Sequence, residues 1–121
     1  FCSTPGVALA RNIGRKKALE MLLTGDFISA DQAVKEGLIN HSVPDELLDE
    51  AVAHLCDSIC AKSTMAIRTG KQMFYRQLEM GVKQAYEYAG GVMACNMMHE
   101  DAAEGVDAFM QKRKPDWKQP A

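Results

Sequence analysis

Apolar and polar positions in this chain follow helical repeats, punctuated by capping signals. Lys16 to Thr24 reads as a helix stopped by Gly25, the residue type that accepts the left-handed conformation a helix end requires. Ser29 restarts the chain as an N-cap, and Gln32, three residues on, completes a capping box. The short helix that follows ends at Gly37. Residues 38–43 (Leu-Ile-Asn-His-Ser-Val) then alternate as a strand does. Pro44 suits the first turn of the next helix, where a missing N–H costs nothing.

From Asp45 onward the pattern is helical. Leu47, Leu48, Ala51, Val52, Leu55 and Ile59 recur at three- and four-residue intervals and make one apolar face. Ser63 or Thr64 caps a second helix whose apolar positions are Ile67, Met73, Phe74 and Leu78. A third, from about Val82 to Met98, lines one face with Val82, Ala85, Tyr86, Ala89, Met93 and Met97. Asp101 with Glu104 forms an acid-type capping signal for a last helix, with Val106, Phe109 and Met110 as its buried stripe and Pro115 as its stop. Gly90 and Gly91 each cost about 1 kcal/mol relative to alanine in a helix interior. Either a close backbone approach or a kink accounts for them, or the helix breaks there. These stripes cannot all cover one another, so at least one face is expected to dock on another part of the protein or on a neighbouring subunit.

Composition narrows the class. The 121 residues are one domain at most; 47% apolar residues can build a core, and 25% charged residues are ordinary for a soluble protein. A formal net charge of −2 argues against a general nucleic-acid binder. No apolar run reaches the length of a membrane span, and no signal or transit segment is read at the start. The four cysteines lack disulfide-framework spacing, which fits reduced thiols in an intracellular compartment.

The run from Arg11 to Pro44 resembles the enoyl-CoA hydratase/isomerase (crotonase) superfamily. Arg11, Gly14, Ala18, Glu20, Leu23, Thr24 and Gly25 carry the match, followed by Ser29, Ala30, Ala33, Gly37, Leu38 and Val43-Pro44. Residues 1–11 and 109–117 resemble one subgroup, the mitochondrial-type enoyl-CoA hydratase domain-containing proteins and their bacterial relatives. The resemblance implies a mainly α chain, the C-terminal part of the α/β crotonase spiral fold. It divides the chain into residues 1–43, the end of the spiral core, and 44–121, a helical oligomerisation region that builds trimers or hexamers. It implies acyl-CoA processing in fatty acid metabolism, with an acyl-CoA thioester as substrate and no separate cofactor, in the bacterial cytoplasm or mitochondrial matrix. The oxyanion-hole amides and paired carboxylates such chemistry uses belong to segments preceding Phe1, so no catalytic residue is expected here. Typical hydratases carry Pro-Gly-x-Gly-Gly ahead of the arginine, where this chain has Pro5-Gly6-Val7-Ala8-Leu9. The subgroup also tends to lack the second catalytic glutamate. Both points favour other acyl-CoA chemistry, or a non-catalytic acyl-CoA-binding or assembly paralogue. A free-standing helical interaction domain is the third reading.

Within the chain, Lys112, Arg113 and Lys114 form a cationic cluster suited to a phosphate-rich ligand. By the resemblance, Lys112 approaches the nucleotide end of coenzyme A, and Met93 falls where an aromatic residue often lies beside the adenine. The alternatives are favourable cations at a helix C-terminus for Lys112 and a core methionine for Met93. Arg11, Arg15, Lys16 and Lys17 read as a solvated face. His54, Cys56 and Cys60 share a helix without a second zinc-spaced pair, so no metal site is expected. Cys2 reads as a buried apolar thiol, His99-Glu100-Asp101 as a helix junction, and His41 as a surface or interface residue.

Overall fold

The computed structural model describes residues 1–117. Seven α-helices occur among them: α1 Ser3–Asn12, α2 Arg15–Thr24, α3 Ala30–Lys35, α4 Leu48–Cys60, α5 Thr64–Gln77, α6 Val82–Met97 and α7 Glu100–Met110. A 3-10 turn, Asp45–Leu47, precedes α4. The chain forms two compact units, Phe1–Ala51 and Val52–Ala121. No helix among the described residues is long and apolar enough to cross a membrane.

In the first unit α1 packs on α2. Pro5 sits in the first turn of α1, where its missing N–H leaves no bond unmade. Gly6 is buried: a β carbon there would lie 3.2 Å from the Leu22 side chain. Gly25 closes α2 at φ 71°, and its N–H reaches the Met21 carbonyl at 3.0 Å. The capping box of α3 is made in both directions. Ser29 Oγ accepts from Gln32 N at 3.2 Å, and Gln32 Oε1 accepts from Ser29 N at 3.3 Å.

The expected strand over residues 38–43 does not form, and no strand occurs among the described residues. Gly37, at φ 78°, turns the chain back on α3, so Leu38 N and Ile39 N both donate to the Ala33 carbonyl, at 2.8 and 3.3 Å. Alternation alone supplies no neighbouring strand, and an isolated strand has no partner for its amides.

In the second unit α5 packs on α6, and α6 on α7. Ser63 is the N-cap of α5 and accepts from Ala66 N at 3.1 Å. α6 runs unbroken through Gly90 and Gly91, and a β carbon at either would meet nothing within 4 Å. Among the described residues, therefore, neither a break nor a close approach accounts for these glycines. No large side chain among those residues is fully buried; the apolar core consists of Ile13, Ala18, Ala33 and Ala108. The amphipathic face of α4 stays open, with Leu48, Val52, Leu55 and Ile59 each about half exposed.

α7 buries a different side from the one its apolar residues mark. Val106, Phe109 and Met110 are exposed, whereas Asp101 and Ala108 are buried and Gly105 half-buried. The reason is polar: Asp101 is drawn inward by Ser63, and Gly105 lies beneath the Trp117 ring. The helix also ends before Pro115, in a left-handed turn at Lys112.

Candidate functional site

The start of α7 is set by side-chain chemistry. His99 Nδ1 accepts from Asp101 N at 3.2 Å, so His99 is the N-cap, and the expected Asp101/Glu104 capping box is absent. This acceptor role requires an unprotonated Nδ1. Asp101 Oδ2 instead accepts from Ser63 Oγ. Ser63 is 4% exposed and Asp101 6%, so the bond fastens α7 to the N-cap of α5 inside the protein. Both partners line a groove of about 370 Å³, shared with Gly105, Phe109 and Trp117.

The end of α7 carries the cationic cluster. Lys112 adopts φ 53°, a left-handed conformation that costs an ordinary residue about 1–2 kcal/mol. Its N–H reaches the Phe109 carbonyl at 3.2 Å, and Arg113 N reaches the Ala108 carbonyl at 3.0 Å. This is the double closure that glycine usually makes.

Arg113 then turns back along α7. Its Nη1 donates to Glu104 Oε1 at 2.5 Å and its Nη2 to Glu104 Oε2 at 2.9 Å, a two-pronged ion pair. Nε donates to Gln111 Oε1 at 2.8 Å, and Nη1 also reaches the Lys114 carbonyl at 3.2 Å. Glu104 Oε1 takes a further bond from Asp116 N at 2.7 Å. Together these hold the Glu104 carboxyl at about 2, the Arg113 bond contributing most and the Asp116 amide next. The same bond to Glu104 raises Arg113.

Trp117 completes the return. Its Nε1 donates to the Ala61 carbonyl at 2.9 Å, and its ring lies so close that a β carbon at Gly105 would sit 3.3 Å from it. Glycine permits that approach.

The three cations expected to act together are thus divided. All three guanidinium nitrogens of Arg113 are engaged within the chain. Lys112 and Lys114 are exposed, and among the described residues their ammonium groups make no hydrogen bond or ion pair. Met93 is not a core residue: it is 58% exposed and borders a groove of about 130 Å³ with Ala66, Gly70 and Met73, whose walls do not include Lys112.

Other expectations resolve simply. Cys2, at the N-cap of α1, is exposed rather than buried, because no neighbouring element covers it. Cys56 and Cys60 are free and exposed, and no cluster of three metal-ligating side chains occurs among the described residues. His41 is exposed. Arg11, Arg15 and Lys16 are exposed, while Lys17 pairs with Glu20 at 2.8 Å, which raises its pKa.

Sequence reasoning missed the Ser63–Asp101 and Glu104–Arg113 partnerships. They join residues 38 and nine positions apart, separations that no helical periodicity encodes.

Comparison with known proteins accounts for nearly the whole chain. The sequence profile described as Enoyl-CoA hydratase/isomerase matches residues 4–120. The protein "Enoyl-CoA hydratase domain-containing protein 3, mitochondrial" of Rattus norvegicus is 45% identical over 117 residues, covering 97% of this chain and 39% of the relative. A "2,3-dehydroadipyl-CoA hydratase" of Escherichia coli is 31% identical, over 91% of this chain and 43% of the relative. The chain spans about two-fifths of the length of these curated relatives. Among solved structures, an enoyl-CoA hydratase of Mycobacterium smegmatis superposes with a TM-score of 0.94 at 53% identity, over 97% of this chain and 46% of that one. Human enoyl Coenzyme A hydratase domain-containing protein 3 gives 0.91 at 45% identity, with the same coverage. The all-helical architecture fits the C-terminal helical portion of the crotonase fold, and these matches exclude an unrelated helical interaction domain. The chain belongs to the enoyl-CoA hydratase/isomerase family.

Proposed function

We propose that the protein carrying this chain processes acyl-CoA thioesters, and that these residues contribute a grip on coenzyme A. The carrying observation is Lys112, an exposed ammonium held in a left-handed turn at the end of α7. A phosphate is its natural ligand, because a compact cation with three donors matches phosphate oxygens. Met93, on the outer side of α6, is the proposed neighbour of the adenine. The thioester is substrate, with no separate cofactor. Groups that activate it would be supplied from outside these 121 residues, in keeping with the two-fifths of the relatives' length that the chain spans. Residues 1–43 would form the end of the spiral core. Residues 44–121 would form the oligomerisation region of a homotrimer or hexamer, its open α4 face supporting that role. The proposed location is intracellular, bacterial cytoplasm or mitochondrial matrix.

Two measurements test this. Crotonyl-CoA hydration by the intact protein should exceed the uncatalysed rate; a background rate eliminates hydratase activity. Lys112→Ala should weaken coenzyme A binding more than Lys114→Ala, whereas equal affinities leave Lys112 only a helix-end role.

One observation favours a second reading, a non-catalytic acyl-CoA-binding or assembly protein. Pro5-Gly6-Val7-Ala8-Leu9 departs from the hydratase pattern, and here it is regular helix, with Gly6 pressed against Leu22. Tight coenzyme A binding with background turnover would select this reading.

A further inference from the structure

We infer that the Glu104–Arg113 ion pair and the Trp117 anchor form a latch that holds Lys112 in its left-handed turn and thereby aims its ammonium at a phosphate of coenzyme A. The inference rests on the reading of Lys112 given above and assigns Arg113 and Glu104 as positioning residues, not ligand contacts.

Three observations carry it. First, an unrestrained lysine at a helix end disfavours the left-handed region, yet Lys112 sits at φ 53°. Something outside the residue must hold it there. Secondly, the restraints flank it. Upstream, Lys112 N and Arg113 N close onto Phe109 and Ala108. Downstream, Arg113 grips Glu104, Asp116 N binds the same carboxylate, and Trp117 Nε1 binds the Ala61 carbonyl. Thirdly, four of the five Arg113 N–H donors are engaged within the chain, so its charge is largely spent on geometry, while the Lys112 ammonium makes no hydrogen bond or ion pair among the described residues. Losing the latch lets residues 111–117 sample other conformations. Apparent affinity then falls by the fraction of molecules that retain the competent turn.

The test turns on a sign. Glu104→Gln removes a negative charge near a proposed phosphate site, so simple electrostatics predicts tighter coenzyme A binding. A latch predicts weaker binding, roughly five- to tenfold from the strain of the left-handed turn. Coenzyme A affinity of the intact protein would be measured by titration calorimetry for wild type, Glu104→Gln, Arg113→Lys, Lys112→Ala and the Glu104→Gln/Lys112→Ala double variant. Arg113→Lys should weaken binding although it keeps the charge, because an ammonium cannot make the two-pronged contact. The double variant should bind no more weakly than Lys112→Ala alone, since both changes remove one interaction. Unchanged or tighter binding by Glu104→Gln, with Lys112→Ala weakened, would overturn the latch and leave the Lys112 reading standing. Wild-type affinity in Lys112→Ala would overturn that reading and the latch with it. If Glu104→Gln does not fold, Trp117→Phe carries the same test. It keeps a ring over Gly105 and removes only the N–H to Ala61, and unchanged affinity there would equally overturn the latch.

Discussion

α3 and α7 finish in the same backbone closure, one built on Gly37 and the other on Lys112. At α3 the turn residue has φ 78°, and Leu38 N and Gly37 N close onto the Ala33 and Val34 carbonyls. At α7 the turn residue has φ 53°, with Arg113 N and Lys112 N closing onto Ala108 and Phe109. Glycine reaches this conformation without a steric penalty, so the end of α3 needs only local sequence. Lysine does not, so the end of α7 needs the surrounding ties to Glu104, Asp116 and Ala61. A helix end closed by glycine is local structure. One closed by lysine is tertiary structure.

Four experiments would break or sharpen that contrast. The largest effect concerns the two serine N-caps. Ser63→Ala should cost about 2–4 kcal/mol, roughly 1 for the lost cap and the rest for stranding buried Asp101. Ser29→Ala, at an exposed capping box, should cost only about 1 kcal/mol. Equal losses in urea unfolding of the intact protein would mean that α7 is no more dependent on tertiary ties than α3.

Next comes the turn residue itself. Gly37→Ala should destabilise by about 1–2 kcal/mol, because a β carbon is strained at positive φ. Opposite in sign and smaller, Lys112→Gly should stabilise the fold by about 0.5–1 kcal/mol while weakening coenzyme A binding. A destabilised Lys112→Gly protein in thermal melts would show that the lysine side chain itself supports the helix end.

The smallest expected effect is the response to acid. Glu104 is held at about 2, below the ordinary carboxylate value of 4.5. Its contribution is therefore fully present above about pH 4.5 and lost as pH falls towards 2. Trp117 fluorescence should report loosening of residues 111–117 over that window in wild type. Glu104→Gln should show no such transition; an identical acid response in both proteins would assign the loosening elsewhere.

What sequence could reveal followed the range of the interaction. Gly25, the Ser29–Gln32 capping box, Gly37 and the Ser63 cap were legible because each acts within four residues. Helical patterns over α4, α5 and α6 were legible for the same reason. Residues 38–43 were misread because alternation describes one strand and cannot supply its neighbour. α7 was misread because apolar residues marked Val106, Phe109 and Met110 as the inner side, while one hydroxyl–carboxylate bond turned Asp101 inward. Helix α1 is not legible in its local sequence, where Pro5 gives no helical signal by itself.

The candidate site divides along the same line. Three adjacent cations were visible in the sequence, but not that the middle one is consumed by Glu104 and the first held in a strained turn. Family membership and the helix ends set by glycine or by a serine cap were determined by residue order, since these depend on identities and short spacings. Which face each helix buries, and which of the three adjacent cations is tied down among the described residues, was decided only when separated groups met, because a charge acquires its role from the partner that folding brings to it.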